Sequence, residues 1–110
     1  MDPDYTPEQV AELLAGSTIQ LIDVRETHER KAGRIEQSTH IELAELSARV
    51  NEIDRDRPVV FYCRSGGRSG MATEAFLAAG FDAHNMAGGL LAWHGRGLPM
   101  VPQGAFVAEP

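Results

Sequence analysis

The sequence predicts an α/β fold: a small, mostly parallel sheet flanked by helices on both faces. Three observations predict it. "RPVVFYC" (Arg57 to Cys63) is a near-continuous apolar run, the mark of a parallel strand covered on both sides. Segments of strand and helix character alternate along the chain, which implies a parallel sheet with right-handed crossovers. Glycines at 16, 33 and 80 close the helical segments, as stop signals do.

Each element has its own reason. Thr6-Pro7-Glu8-Gln9 reads as a helix start: Thr6 caps, Pro7 suits the first helical position, and Gln9 closes a capping box. Val10, Leu13 and Leu14 give that helix an apolar stripe. "TIQLIDV" (Thr18 to Val24) is short, apolar and β-branched, hence a strand. "ETHERKAG" is polar and reads as a short helix turning at Gly33. A brief strand is expected around His40 to Glu42. Ala44 to Ile53 reads as a helix, with Leu46, Val50 and Ile53 on one side. After the strongest strand, Ser69 to Ala79 forms a helix with Met71, Ala75, Phe76 and Ala79 in a stripe. "FDAHNM" is another strand. "GGLLAWHGRG" forms a short helix before Pro99.

Composition narrows the function classes. The chain has 110 residues, the size of one domain spanning 1–110, with a loosely held tail from Pro102 to Pro110. Net charge is -6, which argues against nucleic acid and against anionic membrane surfaces as partners. No apolar run approaches the roughly 20 residues of a membrane span. "MDPDYTPEQV" is acidic and lacks a targeting pattern. Cys63 is the only cysteine, so no intrachain disulfide forms, and a reducing, cytoplasmic setting is the simplest reading. His28, His40, His84 and His94 have no metal-ligand spacing. No metal and no cofactor are called for.

The sole thiol ends the strongest strand, and ligands bind at the carboxyl ends of such strands. It opens the loop "CRSGGRS". Gly66 and Gly67 can take backbone angles closed to other residues. A tight loop then turns successive N–H groups inward as an anion nest. The next helix aims its positive dipole end at the same spot. Arg64 and Arg68 add two permanent charges. A cysteine pKa near ~8.5 falls in such a setting, and each unit is worth about 1.4 kcal/mol. The pattern points to an activated sulfur nucleophile facing an anion. The plainer alternative, a small buried hydrophobe, leaves the arginines and paired glycines without a purpose.

"CRSGGRS" after "VVFY" resembles the active-site loop of the rhodanese-type sulfurtransferases. "LIDVRE" (Leu21 to Glu26) resembles that family's Asp-Val-Arg-Glu segment. "AGGLLAWHGRGLP" (Ala87 to Pro99) resembles its closing Gly-Gly, Trp and Gly-x-Pro pattern. The likeness covers nearly the whole chain. One stretch departs: where the family carries a Gly-His-Ile-Pro-Gly-Ala-like sequence, Gly33 and Ile35 remain but Arg34, Glu36, Gln37 and Ser38 replace the rest.

The resemblance implies a rhodanese-like fold and a two-step reaction. Cys63 takes the outer sulfur of a donor such as thiosulfate and becomes a persulfide. Cyanide or a thiol, small or on a sulfur-accepting protein, then removes it. The resemblance assigns donor binding to Arg64, Ser65, Gly66, Gly67, Arg68 and Ser69, through their amides and the two guanidiniums.

Two alternatives stand beside this reading. A cysteine phosphatase or arsenate reductase of related architecture has one residue more between cysteine and arginine; here four lie between Cys63 and Arg68. A persulfide carrier or binding module would share every motif. Among the remaining residues, Asp23 and Arg25 are candidates for loop support, though an ion pair bracing the sheet is the simpler reading. Ser65 and Ser69 are candidate donors to an oxyanion, and Ser69 equally reads as a helix N-cap. Trp93 reads as a core aromatic. Gly88 and Gly89 read as sites of close chain packing. "ETHERKAGR" reads as a solvated helix face.

Overall fold

The computed structural model describes residues 4–110. Helix α1 (Pro7–Ala15) precedes β1 (Gln20–Asp23), α2 (Thr27–Ala32) and β2 (Thr39–His40). Two 3-10 turns, Leu43–Glu45 and Val50–Glu52, lead to β3 (Val59–Tyr62), α3 (Gly67–Ala78), β4 (Ala83–Asn85) and α4 (Gly89–Gly95). The four strands lie in the order β2-β1-β3-β4, and every pairing is parallel. Central β3 pairs Val59 to Tyr62 with Gln20 to Asp23 on one side, and Val59 to Phe61 with Ala83 to Asn85 on the other.

All four β3 residues are buried, because alternate side chains enter two different cores. Val59, Phe61 and Cys63 face Ile22, Val24, Ala72, Phe76 and Phe81. The Phe61 and Phe76 rings meet edge-on at 4.9 Å, a favoured aromatic geometry. Val60 and Tyr62 face Val10 of α1, Ile35, and Leu90 and Trp93 of α4. Helices therefore cover both faces of the sheet. No helix among the described residues is long and apolar enough to cross a membrane.

The capping box of α1 forms as the sequence implies: Gln9 N donates to Thr6 Oγ1 at 3.1 Å, and Thr6 N to Gln9 Oε1 at 2.8 Å. Other boundaries move. The expected helix over Ala44 to Ile53 is instead two 3-10 turns joined by looser backbone. The cause is tertiary. Leu46 and Ile53 must both reach the core, while Gln20 pins the segment's end by accepting from Asp54 N at 2.8 Å and donating to Asp54 O at 2.9 Å. The strand expected at His40 to Glu42 pairs only at Thr39–His40.

Helix α3 begins two residues before the expected Ser69. Its N-cap is Gly66, at φ +107°. Ser69 is therefore inside the helix and caps nothing; its hydroxyl is free for another task. The "ETHERKAGR" helix is not wholly solvated either, since Glu29 is completely buried. The terminal segment, read from sequence as loosely held, packs on the end of α2. Arg34 and Val101 exchange backbone hydrogen bonds at 2.9 Å, and Phe106 N donates to Ala32 O at 3.1 Å. Gly33 permits this approach, because a Cβ there would stand 2.5 Å from Phe106 O.

Candidate active site

Cys63 follows the last residue of β3, and α3 begins after a three-residue turn, Arg64 to Gly66. Only Gly66 uses a left-handed backbone angle. Gly67 does not: it is the first residue of α3, and a Cβ there would meet nothing within 4 Å. The expectation that both glycines serve the turn thus holds for one of them.

The loop wraps the sulfur. Gly66 N donates to Cys63 Sγ at 3.1 Å and Ser69 N at 3.5 Å, while Ser69 Oγ lies 3.3 Å away. Burial pushes the Cys63 thiol pKa up, since the residue is only 1% exposed. The hydrogen bonds from the Ser69 hydroxyl and amide, and from the Gly66 and Ser65 amides, outweigh burial and bring it below the ordinary thiol value. The sulfur is thus enclosed, yet its enclosure is made of donors on one side and hydrocarbon on the other.

Helix α4 fixes the outer side of the loop. Leu90 N donates to Cys63 O at 2.8 Å and Leu91 N to Arg64 O at 3.0 Å. Gly89 makes this possible. A Cβ at Gly89 would fall 2.5 Å from Arg64 O and 2.7 Å from Cys63 O, which no side chain tolerates.

The two loop arginines differ. Arg68 is committed: its Nη1 and Nη2 each donate to a Glu29 carboxylate oxygen at 2.8 Å. Burial pushes the Glu29 carboxyl up, but hydrogen bonds from Arg68 and from Glu26 N, with the charges of Arg68 and Arg25, hold it below the usual range. Arg64 has no ion-pair partner among the described residues, and its Nε is buried without a hydrogen bond. Ser65 is exposed at the loop's outer edge.

Asp23 and Arg25 are fully buried and paired, Nε to Oδ1 at 2.9 Å and Nη2 to Oδ2 at 2.8 Å. Arg25 also donates to Gly33 O at 2.8 Å and Glu29 O at 3.4 Å. Asp23 Oδ2 accepts from Tyr62 Oη at 3.1 Å and Arg30 Nη1 at 3.2 Å. Burial, then the Asp23 charge, pushes the Tyr62 hydroxyl up to about 12, so it stays protonated and donates. This network braces β1, β3 and α2. It reaches the Cys63 loop through Glu29 and Arg68. Ser38, in the stretch that departs from the family pattern, joins it: its hydroxyl lies 2.9 Å from Tyr62 Oη and accepts from Arg30 Nη1 at 3.0 Å.

Two residues at the site carry no motif. Glu29 lay hidden in a mixed-charge run; its third place after a helix-starting Glu26 was the available signal. Asn85 ends β4, at the same sheet edge as Cys63. Its Oδ1 accepts from Ser69 Oγ at 2.6 Å, and its Nδ2 donates to Gly66 O at 3.2 Å. A polar residue closing an apolar strand was its only trace. Beyond Asn85 and Gly67 lies a cavity of about 360 Å³, walled by Gly70, Met71, Glu74 and Leu77.

The fold is a parallel α/β sheet with helices on both faces and a cysteine nested in backbone amides at the end of its central strand. The chain belongs to the rhodanese-like domain family, which matches residues 6–96. It is 36% identical over 100 residues to a sulfurtransferase of Allochromatium vinosum, covering 88% of this chain and 94% of that one. It is 28% identical over 87 residues to the thiosulfate sulfurtransferase GlpE of Shewanella oneidensis, covering 78% and 86%. Among solved structures, a rhodanese-related protein from Thermoplasma volcanium superposes with a TM-score of 0.83 at 28% identity, over 89% of this chain and 96% of that one.

Proposed function

We propose that this protein is a sulfurtransferase that moves sulfane sulfur through a Cys63 persulfide, from thiosulfate or a similar donor to cyanide or a thiol. The observation that carries this reading is the convergence of Gly66 N, Ser69 N and Ser69 Oγ on Cys63 Sγ. Donors placed there stabilise a sulfur anion before any substrate arrives.

In the first step the Cys63 thiolate attacks the outer sulfur of thiosulfate. The S–S bond breaks, its electron pair leaves with sulfite, and Cys63–S–S⁻ forms. In the second step cyanide attacks the outer sulfur, the persulfide bond breaks toward Cys63, and thiocyanate leaves. A thiolate acceptor gives a new persulfide in the same way. Charge balances in both steps, and neither needs a general acid. Arg64, whose guanidinium has no carboxylate partner among the described residues, meets the donor. Arg68 acts chiefly on the loop through Glu29. The thiol this chemistry requires stays reduced in the cytoplasm, the setting we assign to it.

Mass spectrometry after thiosulfate treatment tests the reading. One sulfur should be added on Cys63 and should disappear on cyanide addition, with thiocyanate released. A chain that never gains sulfur overturns it. A parallel assay on an aryl phosphate covers the phosphatase alternative, and turnover there alone would replace this reading with that one.

A further inference from the structure

The hydroxyl of Ser69 has one proton and two acceptors. Cys63 Sγ is 3.3 Å away and Asn85 Oδ1 is 2.6 Å away. The amide of Asn85 is fixed the right way round: Nδ2 donates to Gly66 O at 3.2 Å, and the reverse orientation would set two carbonyl oxygens against each other. Oδ1 is an acceptor only. The Asn85 contact is the shorter, so while the sulfur keeps its own proton the Ser69 hydrogen lies toward Oδ1, and it is the thiolate that draws it across to Sγ.

We propose that Asn85 is a positioning residue that competes with the Cys63 sulfur for the Ser69 proton, favouring the thiol and the loaded persulfide over the bare thiolate. In the thiol form S–H donates to Ser69 Oγ, which donates to Asn85 Oδ1, and all three groups are satisfied. In the thiolate form Ser69 must turn its proton to Sγ, and buried Oδ1 loses its donor. In Cys63–S–S⁻ the charge sits on the outer sulfur, so the inner one no longer needs that proton. Ser69 then returns it to Asn85. Asn85 thus makes the bare thiolate less favourable than the loaded persulfide, which shifts the balance toward sulfur held on Cys63.

Other groups around Cys63 do not supply this switch. Val24, just past β1, and Ala72 of α3 offer hydrocarbon. α4 offers the Leu90 amide to the carbonyl rather than to the sulfur. The loop itself supplies Arg64 and Arg68, and α2 supplies Glu29, which pairs with Arg68. The Glu29 carboxyl, held below its ordinary range by hydrogen bonds from Arg68 and Glu26 N acting against burial, is ionised and turned to Arg68 rather than to the sulfur.

The test is the thiolate ultraviolet absorbance as a function of pH. The chain has one cysteine, and a C63S blank removes the tyrosines. S69A should raise the midpoint. N85A should lower it by about one pH unit, the difference between a neutral and a charge-assisted hydrogen bond. In the S69A background, N85A should produce no such fall. If N85A does not fold, N85L keeps the branched shape and carries the same expectation. The isosteric N85D, a stronger acceptor, should move the midpoint upward. A mere loosening of the loop would move N85A upward as well. A midpoint unchanged or raised in N85A, or an equal fall without Ser69, overturns the proposal. The role in the loaded form rests on the persulfide reading. The titration uses the resting protein, so its failure is distinct from a failure to load sulfur.

Discussion

Glu29 grips Arg68 with both carboxylate oxygens, each 2.8 Å from a guanidinium nitrogen. Glu29 is fully buried, whereas the Arg68 side chain keeps 26% of its surface exposed. The pair fastens the start of α2 to the first turn of α3, directly behind the sulfur nest. Glu29→Gln should lower unfolding stability by about 1–3 kcal/mol, less than a fully sealed pair would lose because Arg68 can reach water. Urea titration of the two proteins checks this.

The same pair sets a pH dependence. The folded-state pKa values of Glu29 and Asp23 are both depressed, by their arginine partners acting against burial. Each therefore contributes stability that is fully present above its unfolded pKa near ~4, and that is lost as pH falls through the lower folded value. Stability should decline below about pH 4. Glu29→Gln should start lower and decline less steeply, as read by urea midpoints across the acid range.

The two loop arginines should separate cleanly. Arg64→Ala should reduce thiosulfate kcat/KM roughly 10- to 100-fold, the value of a charge-assisted contact of about 1.5–3 kcal/mol, with little change in urea midpoint. Arg68→Ala should cost stability, because it strands the Glu29 carboxylate in the interior. Steady-state kinetics paired with urea curves decides the matter; identical effects from both would contradict the assignment.

The glycines should separate too. Gly66→Ala forces a side chain into φ +107° and should cost about 1–3 kcal/mol. Gly67→Ala enters open space at a helical angle and should be neutral or stabilising by up to about 1 kcal/mol. Gly89→Ala should be the worst, since its Cβ would strike the Cys63 and Arg64 carbonyls. Thermal melts rank the three.

Cys63→Ser should keep the fold, because the loop's amides find an oxygen of similar shape, while sulfur loading disappears. Mass spectrometry and circular dichroism together establish both halves.

The parts of the molecule that were legible in the sequence are those in which local chemistry decides. The run Val59 to Tyr62 could only be a doubly covered strand, and Thr6 with Gln9 could only be a cap. The turn after β3 was legible because a glycine pair closely follows an apolar strand, but the structural task of Arg68, holding buried Glu29, was not. Long-range demand erased the rest. Ala44 to Ile53 has helical periodicity, but Gln20 ties its end down too early for a helix to run. Ser69 looked like a cap because the turn's true cap, Gly66, has no side chain to announce it. Glu29 and Asn85 act through partners 39 and 16 positions away, and no local pattern encodes such distances.

The seating of Gly89 against the Cys63 and Arg64 carbonyls has a practical corollary. A peptide plane whose oxygen is held outward presents its neighbours' hydrogens inward, so the electrical character of the pocket is imposed partly from a helix more than twenty positions downstream. Anyone wishing to transplant this chemistry into another scaffold would have to move the bend and the helix as a single cassette; the bend alone would carry the letters without the clamp.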